Sequence, residues 1–339
     1  MKGDNQQQRS CKTKTTRMKK LRIYVALAAL ALGFSACNDE WKDELYTQMV
    51  SFKARLSSEG VSQVYLRYNK NGEVIYNLPV IVSGSQTNHQ DLYVNIAVDP
   101  DTLTIYNKEK FQQRADLYFK QLPEQFYQFP SPTCFIPKGS HTENYPIKFK
   151  FENLDLVERY VLPLTIKDDP SYISNYRKGW RKALLYIRPF NDFSGNYSST
   201  SMNVYLDGQT SNPLVASTRT AWVVDERSVF FYAGVFEERS ETRGNYKVVM
   251  DFSEPVTQPD GTQTGTLNVY APNSAINFEL TGPATYQLRE VVDPTRKNLI
   301  TQYCTVNLKY KYDDISTVPG KEERYRVDGS MTLAWLKNI

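Results

Sequence analysis

Hydrophobic and polar residues alternate along most of this chain from about residue 49 onward. Near Ile147 and Phe149 the apolar residues alternate with lysines, and from Cys304 to Tyr312 every second residue is apolar. Because successive side chains of a β-strand point to opposite faces, this period of two predicts strands with one buried face. Turn signals such as Asn71-Gly72 separate the runs. The chain is therefore predicted to be all-β.

One segment has the longer period of a helix instead. Its apolar residues on one face are Phe111, Ala115, Tyr118 and Leu122. Asn107 can cap the first turn, and Pro123 would end the helix. Residues 48–189 are therefore predicted to form a β-sandwich of short strands with this one helix inserted.

The second half, residues 190–339, has strand patterns almost throughout. This pattern predicts roughly eight or nine antiparallel strands. Because exposed strand edges are unfavourable, these strands must either close into a barrel or pack as two sheets. Asp207-Gly208 and Asp260-Gly261 are typical of hairpin turns. The preferred prediction is an antiparallel β-barrel over residues 190–339, with a second sandwich as the alternative.

The N-terminus has the layout of a signal peptide. Basic residues at 17–22 precede an apolar run at 23–32, which is too short to span a bilayer, and small residues then lead to Cys37. Ser35-Ala36-Cys37 resembles a bacterial lipobox, with Phe34 where leucine is usual. The resemblance implies that residues 1–36 are a signal peptide with an upstream extension. Two translation starts, Met1 and Met18, are compatible with this layout. Cys37 would carry the lipid, and an ordinary signal peptide is the alternative.

Residues 37–47 are predicted to be the tether of the lipidated chain. Four acidic residues lie between 38 and 44, and this stretch resembles the surface-export signal of Bacteroidetes lipoproteins. The resemblance implies a protein on the outer membrane, facing the cell exterior and held by its lipid alone. A merely solvated tether is the alternative interpretation.

The charge of the chain argues against nucleic acid as a partner. The whole chain carries a formal charge of +4, but residues 1–36 hold eight basic residues and one acidic residue. Without them 33 basic and 36 acidic residues remain, a net charge of −3. Nucleic-acid-binding proteins normally show a basic surface, and this sequence contains no basic stripe.

Four segments of the first half, taken in order, resemble an uncharacterised immunoglobulin-like module at the N-terminus of Bacteroidetes surface lipoproteins. The segments are 101–107, 122–127, 136–140 and 160–166. The second half resembles the lipocalin-like C-terminal partner of the same lipoproteins. Many such proteins accompany polysaccharide-utilisation systems. The resemblance implies a non-catalytic glycan-binding or accessory component that binds a polysaccharide or oligosaccharide and can join an outer-membrane importer complex. A structural or adhesin-like lipoprotein is the alternative.

Residues for catalysis, metals or cofactors are scarce. The only histidines, His89 and His141, lie in polar segments and do not form the pattern of a catalytic triad or a zinc site. No Gly-rich phosphate loop occurs, so no cofactor, no metal and no enzymatic activity are predicted. Cys134 and Cys304 are interpreted as buried free thiols, with a disulfide between them as the alternative.

Aromatic residues remain as candidates for glycan binding, because sugar rings stack on flat side chains. The aromatic candidates are Trp180, Trp222, Tyr127 and Phe129. Arg219, which precedes Trp222 by three residues, is a candidate hydrogen-bond donor to sugar hydroxyl groups. The alternative for each aromatic residue is that its ring fills the apolar core and does not bind a ligand.

Lipidation of Cys37 can be tested by mass spectrometry of the native protein. We expect a chain that begins at Cys37 and carries diacylglycerol on its sulfur, because two or more acyl chains are needed for stable anchoring. The Cys37→Ser variant should leave the membrane fraction. A bare sulfur, or a chain that retains residues 1–36, would contradict the assignment.

Overall fold

The computed structural model describes residues 46–70, 72–318 and 320–338. The predicted signal peptide, the lipid site Cys37 and most of the tether lie outside these ranges. Strands make up most of the regular structure in the described chain, which confirms the all-β prediction. None of the helices in these ranges has the length and apolar character needed to span a membrane.

Ten strands form the first half. They are β1 (Met49–Phe52), β2 (Ser62–Arg67), β3 (Val74–Ser83), β4 (Leu92–Val98), β5 (Lys120–Gln121), β6 (Tyr127–Gln128), β7 (Thr133–Ile136), β8 (Thr142–Phe149), β9 (Tyr160–Ile166) and β10 (Lys182–Phe190). One sheet has the order β1-β3-β8-β6, and the other has the order β2-β10-β9-β4-β7 with β5 beside β9. Most pairs are antiparallel, but β2 runs parallel to β10 and β5 runs parallel to β9.

Alternate residues of the two sheets meet in one apolar core. Leu78, Val80 and Ile147 come from the first sheet, and Val94 and Leu185 come from the second. All five are fully buried, as the period of two requires. The predicted β-sandwich is thereby confirmed, while the finer immunoglobulin-like description stays a prediction.

The inserted helix lies earlier than predicted. Helix α1 spans Pro100–Phe111, and only a short 3₁₀ turn, Ala115–Leu117, follows it. Asp99 caps α1, since its Oδ1 accepts a hydrogen bond from the Thr102 backbone N–H at 3.2 Å. An acidic cap followed by proline is a strong helix start, and it precedes the apolar period on which the prediction relied.

Asn107 is therefore not a cap but a buried residue within α1. Its side-chain amide donates to the Phe119 carbonyl at 2.8 Å, and its Oδ1 accepts from the Phe119 N–H at 2.9 Å. These two bonds hold the returning chain against the helix. Leu103 and Phe119 then pack with Tyr186 on the outer face of the second sheet.

Ten further strands form the second half. They are β11 (Gly195–Leu206), β12 (Thr218–Val223), β13 (Ser228–Tyr232), β14 (Lys247–Phe252), β15 (Val256–Thr257), β16 (Gln263–Tyr270), β17 (Glu279–Leu280), β18 (Thr285–Val292), β19 (Leu299–Asp314) and β20 (Glu323–Asn338). Eight of them close in the antiparallel order β11-β12-β13-β14-β16-β18-β19-β20, with β20 returning to β11. The predicted barrel is confirmed, and the alternative of a second sandwich is excluded.

Large side chains fill the barrel interior. The predicted inward face of β19, from Cys304 to Tyr312, is buried, and Tyr246 and Tyr286 add two more buried rings. Gly234 has a positive φ of 59°, and a Cβ there would lie 1.8 Å from the Tyr312 hydroxyl oxygen. A glycine is required at this close approach.

The two cysteines of the described chain are both free thiols. Cys134 is buried in the sandwich core and Cys304 in the barrel core, which excludes the alternative of a disulfide. Burial raises the pKa of Cys134 to about 11 and that of Cys304 to about 12. Both thiols are therefore neutral at physiological pH and are weak nucleophiles.

The outer wall of the barrel packs against the apolar core of the sandwich. The chain leaves β10 at Phe190 and enters β11 at Gly195, so only four residues join them. Trp222, Phe230 and Tyr232 point out of the barrel wall and pack into the same cluster as the sandwich core. This contact fixes the position of the barrel against the sandwich.

The stability of α1 and the segment that follows it should depend on Asn107. We expect Asn107→Ala to lower the free energy of unfolding by roughly 2–4 kcal/mol, because it leaves the buried N–H and C=O of Phe119 without partners. Urea denaturation of the full-length protein measures the change. Lys108→Ala, exposed on the same helix, is the control and should change stability by less than about 0.5 kcal/mol. An equal effect of both substitutions would contradict this account.

Candidate functional site

A cleft lies where the sandwich meets the barrel. Its cavity of about 240 Å³ is lined on the sandwich side by Tyr65, Tyr186 and Arg188, and on the barrel side by Thr220 and Trp222. Clefts at such junctions are frequent ligand sites, because two rigid surfaces can present polar and aromatic groups to the same space.

A cation lies between two aromatic rings on the sandwich side. β2 and β10 are paired in parallel with Tyr65 opposite Arg188, and Tyr186 lies two residues before Arg188 on the same face. The Arg188 guanidinium carbon is 5.6 Å from the centre of the Tyr65 ring and 5.4 Å from that of Tyr186. These are cation–π distances. Tyr65 remains 57% exposed, so much of its surface is accessible to a ligand.

Tyr186 also connects the sandwich to the barrel. Its hydroxyl donates a hydrogen bond to Glu238 Oε1 at 3.2 Å, and Glu238 lies in the turn that follows β13. Burial raises the pKa of Tyr186, and the charge of Glu238 raises it further. The phenol therefore stays protonated at physiological pH and remains a donor.

A second pocket, of about 270 Å³, shares Thr220 and Trp222 with the cleft. Arg219 lines it together with Glu237, Glu238 and other residues of the turn after β13. The cleft and the second pocket thus adjoin each other at the same part of β12.

Trp222 and Arg219 are the two predicted residues that the structure brings together at these pockets. Trp222 is only 9% exposed, and its ring is 5.4 Å from that of Phe230 in a stacked arrangement. It therefore forms a wall of the cleft and not the open stacking surface that was expected. The role of both residues in glycan binding stays a prediction.

The other three predicted residues do not line either pocket. Trp180 lies in a short helical turn, α2 (Lys178–Arg181), and is exposed there. Tyr127 and Phe129 contact each other at 5.2 Å and pack against the sandwich core, with Phe129 5.7 Å from the buried Tyr145. Their half-buried rings support the core.

Tyr65, Tyr186 and Arg188 were missing from the sequence-based candidates. All three face outward on their strands in the period of two, and this was the available signal. The parallel pairing that places Tyr65 beside Arg188 joins segments more than 100 residues apart and cannot be read from either one.

The described chain offers few groups for catalysis or metal binding. His89 and His141 are both exposed and lie in loops. Within residues 46–70, 72–318 and 320–338, no three His, Cys, Asp or Glu side chains lie close enough together to hold a metal ion.

Comparisons with known proteins give the chain its family. A domain of unknown function, DUF4973, matches residues 41–170, and a C-terminal domain family matches residues 181–332. A Bacteroides ovatus protein of unknown function is 40% identical, with a TM-score of 0.75 over 86% of this chain and 96% of its own. The chain therefore belongs to the same protein family as this Bacteroides ovatus protein.

Two further solved structures support the family assignment. Another Bacteroides ovatus protein of unknown function is 32% identical, with a TM-score of 0.78 over 89% of this chain and 95% of its own. An auxiliary nutrient binding protein from Bacteroides thetaiotaomicron is 30% identical, with a TM-score of 0.73 over 85% of this chain and 95% of its own. A search of curated proteins found no match.

Proposed function

We propose that this protein is a non-catalytic surface lipoprotein that binds oligosaccharide in the cleft between sandwich and barrel. The observation that carries the proposal is the stack of Tyr65, Arg188 and Tyr186 along one wall of that cleft. The family relative described as an auxiliary nutrient binding protein supports a role in nutrient capture.

The chemistry of the cleft suits a sugar. The exposed ring of Tyr65 can stack on the apolar face of a pyranose, as aromatic rings do on other flat apolar groups. Arg188 offers hydrogen-bond donors, and Glu158, which also lines the cleft, offers acceptors for hydroxyl groups. A few polar groups placed around an aromatic surface fix the orientation of a ligand.

The proposed location is the outer face of the outer membrane. It is supported by the lipobox-like sequence before Cys37 and by the acidic residues that follow. Eleven residues span at most roughly 35 to 40 Å when fully extended, which limits the reach of the proposed tether of residues 37–47. In that position the protein could deliver oligosaccharide to an importer as its accessory component.

A partner-binding role is the second candidate, and one observation favours it. Leu56 and Ile105 line a shallow pocket beside α2, and both are exposed, as is Trp180 in α2 itself. Exposed apolar groups of this kind are frequent at protein contacts. If this is the main function, Trp180→Ala should abolish capture of membrane proteins, and no glycan should bind.

Replacing Tyr65 tests the proposed function. A panel of polysaccharides is first screened by affinity gel electrophoresis, and the best ligand is then titrated by calorimetry. We expect Tyr65→Ala to weaken its binding about tenfold or more, because one stacked ring contributes about 1.4 kcal/mol or more.

Tyr93→Ala is the matched control. Tyr93 is 60% exposed on β4, another strand of the same sheet, but does not line the cleft. Its replacement should leave the affinity unchanged. Equal losses in both variants, or a folded protein that binds no glycan, would reject the proposal.

A further inference from the structure

Exposed apolar and aromatic side chains are grouped around α2 and the loop that precedes it. We call this group the basal patch; its members are Leu56, Ile105, Ile173, Tyr176 and Trp180, and their exposed fractions run from 44% to 72%. Leu56 and Ile105 line one pocket together with Gly179 of α2, so side chains from three segments meet there. Exposed apolar groups that lie together in this way mark a contact surface.

Basic side chains without ion-pair partners in the described chain surround the basal patch. Those that are exposed on the segment after β1 and at α2 are Lys53, Arg55, Arg177 and Lys178. Arg181 and Lys182, in contrast, are paired with Asp168 and Asp99, each at 2.8 Å. Glu109 is the acidic residue that lines the pocket of the patch. The unpaired charge around the basal patch is therefore mainly positive.

The basal patch lies where the chain enters the sandwich from its tether. The Val50 N–H of β1 donates to the Ile173 carbonyl at 2.8 Å, and the Asn175 N–H donates to the Val50 carbonyl at 2.9 Å. These two bonds fix the loop before α2 to the first strand. Residues 37–47, which span at most roughly 35 to 40 Å, join this strand to Cys37. A lipid on Cys37 would therefore hold the patch near the bilayer at a high effective concentration.

The candidate cleft lies at the other end of the same sheet. β10 begins directly after α2 at Lys182 and ends at Phe190, which lines the cleft. A strand of this length places its two ends roughly 26 Å apart. β2 runs parallel to β10 and ends at Arg67, whose guanidinium is paired at 2.8 Å with Asp192 in the connection to the barrel. A bilayer at the basal patch would therefore leave the cleft open to a soluble ligand.

We propose that the basal patch binds the surface of the membrane that holds the lipid anchor, with anionic lipid headgroups as its ligands. Trp180 and Tyr176 suit this position, because their rings combine an apolar body with a polar edge and such side chains are enriched at bilayer interfaces. Arg177 and Lys178 would attract the headgroups. The presence of a membrane rests on the lipid anchor of the proposed function, and one anchor combined with a basic surface gives stable attachment.

Binding to vesicles tests this proposal without the lipid anchor. The Cys37→Ser chain without residues 1–36 retains both apolar cores. It is sedimented with vesicles of phosphatidylcholine alone or of an equal mixture with phosphatidylglycerol. We expect binding to the mixed vesicles at low ionic strength and weaker binding to the neutral vesicles, with most of this difference lost at high salt. A chain that binds neither kind of vesicle, or both equally, would overturn the proposal.

Two pairs of variants assign the binding to the basal patch. Trp180→Ala should weaken binding about fivefold or more, because it removes apolar contact with the bilayer. Tyr270→Ala is its control, since Tyr270 is 43% exposed on β16 of the barrel. Lys178→Ala should weaken binding to the mixed vesicles about fivefold, and Lys297→Ala, exposed on a barrel loop, should not. Equal losses within either pair would contradict the proposal.

Other occupants of the patch give different results. If Trp180 serves a protein partner, Trp180→Ala will impair capture of membrane proteins and leave vesicle binding unchanged, which would overturn the proposal. The outcome for the cleft is separate. Glycan binding that depends on Tyr65, without any binding to vesicles, would reject this inference and leave the proposed function intact. Vesicle binding by a folded chain that binds no glycan would reject the glycan proposal alone.

Discussion

The apolar contact between the outer wall of the barrel and the core of the sandwich is the constraint on which the rest of the structure depends. The side chains of Trp222, Phe230 and Tyr232 project from the outer wall of the barrel and pack into the core of the sandwich. Burial of these three aromatic side chains favours one fixed arrangement of the sandwich and the barrel over free movement between them. Polar contacts at the edge reinforce it, among them Lys247 with Asp155 at 2.8 Å.

That fixed arrangement creates the candidate site. The sandwich supplies Tyr65 and Arg188 from one sheet face, and the barrel supplies Trp222 as the opposing wall. Neither half has the cleft alone. The same contact places a second pocket next to the cleft, because Thr220 and Trp222 of β12 line both.

Much of the fold could be predicted from the sequence, because a period of two assigns the buried face of each strand directly. The inward face of β19 is an example, and the closed barrel follows from the need to hide strand edges. The helix was misplaced, because its apolar period was weaker than the signal of Asp99 and Pro100. The cleft was missed, because the pairing of Tyr65 with Arg188 depends on long-range topology.

A crystal structure of the protein with a bound oligosaccharide tests the central claim most directly. The account predicts sugar density in the cleft, with one ring against Tyr65 and others extending past Trp222. Sugar bound elsewhere, for instance on the exposed pair of Tyr93 and Phe135, with nothing between sandwich and barrel, would contradict it.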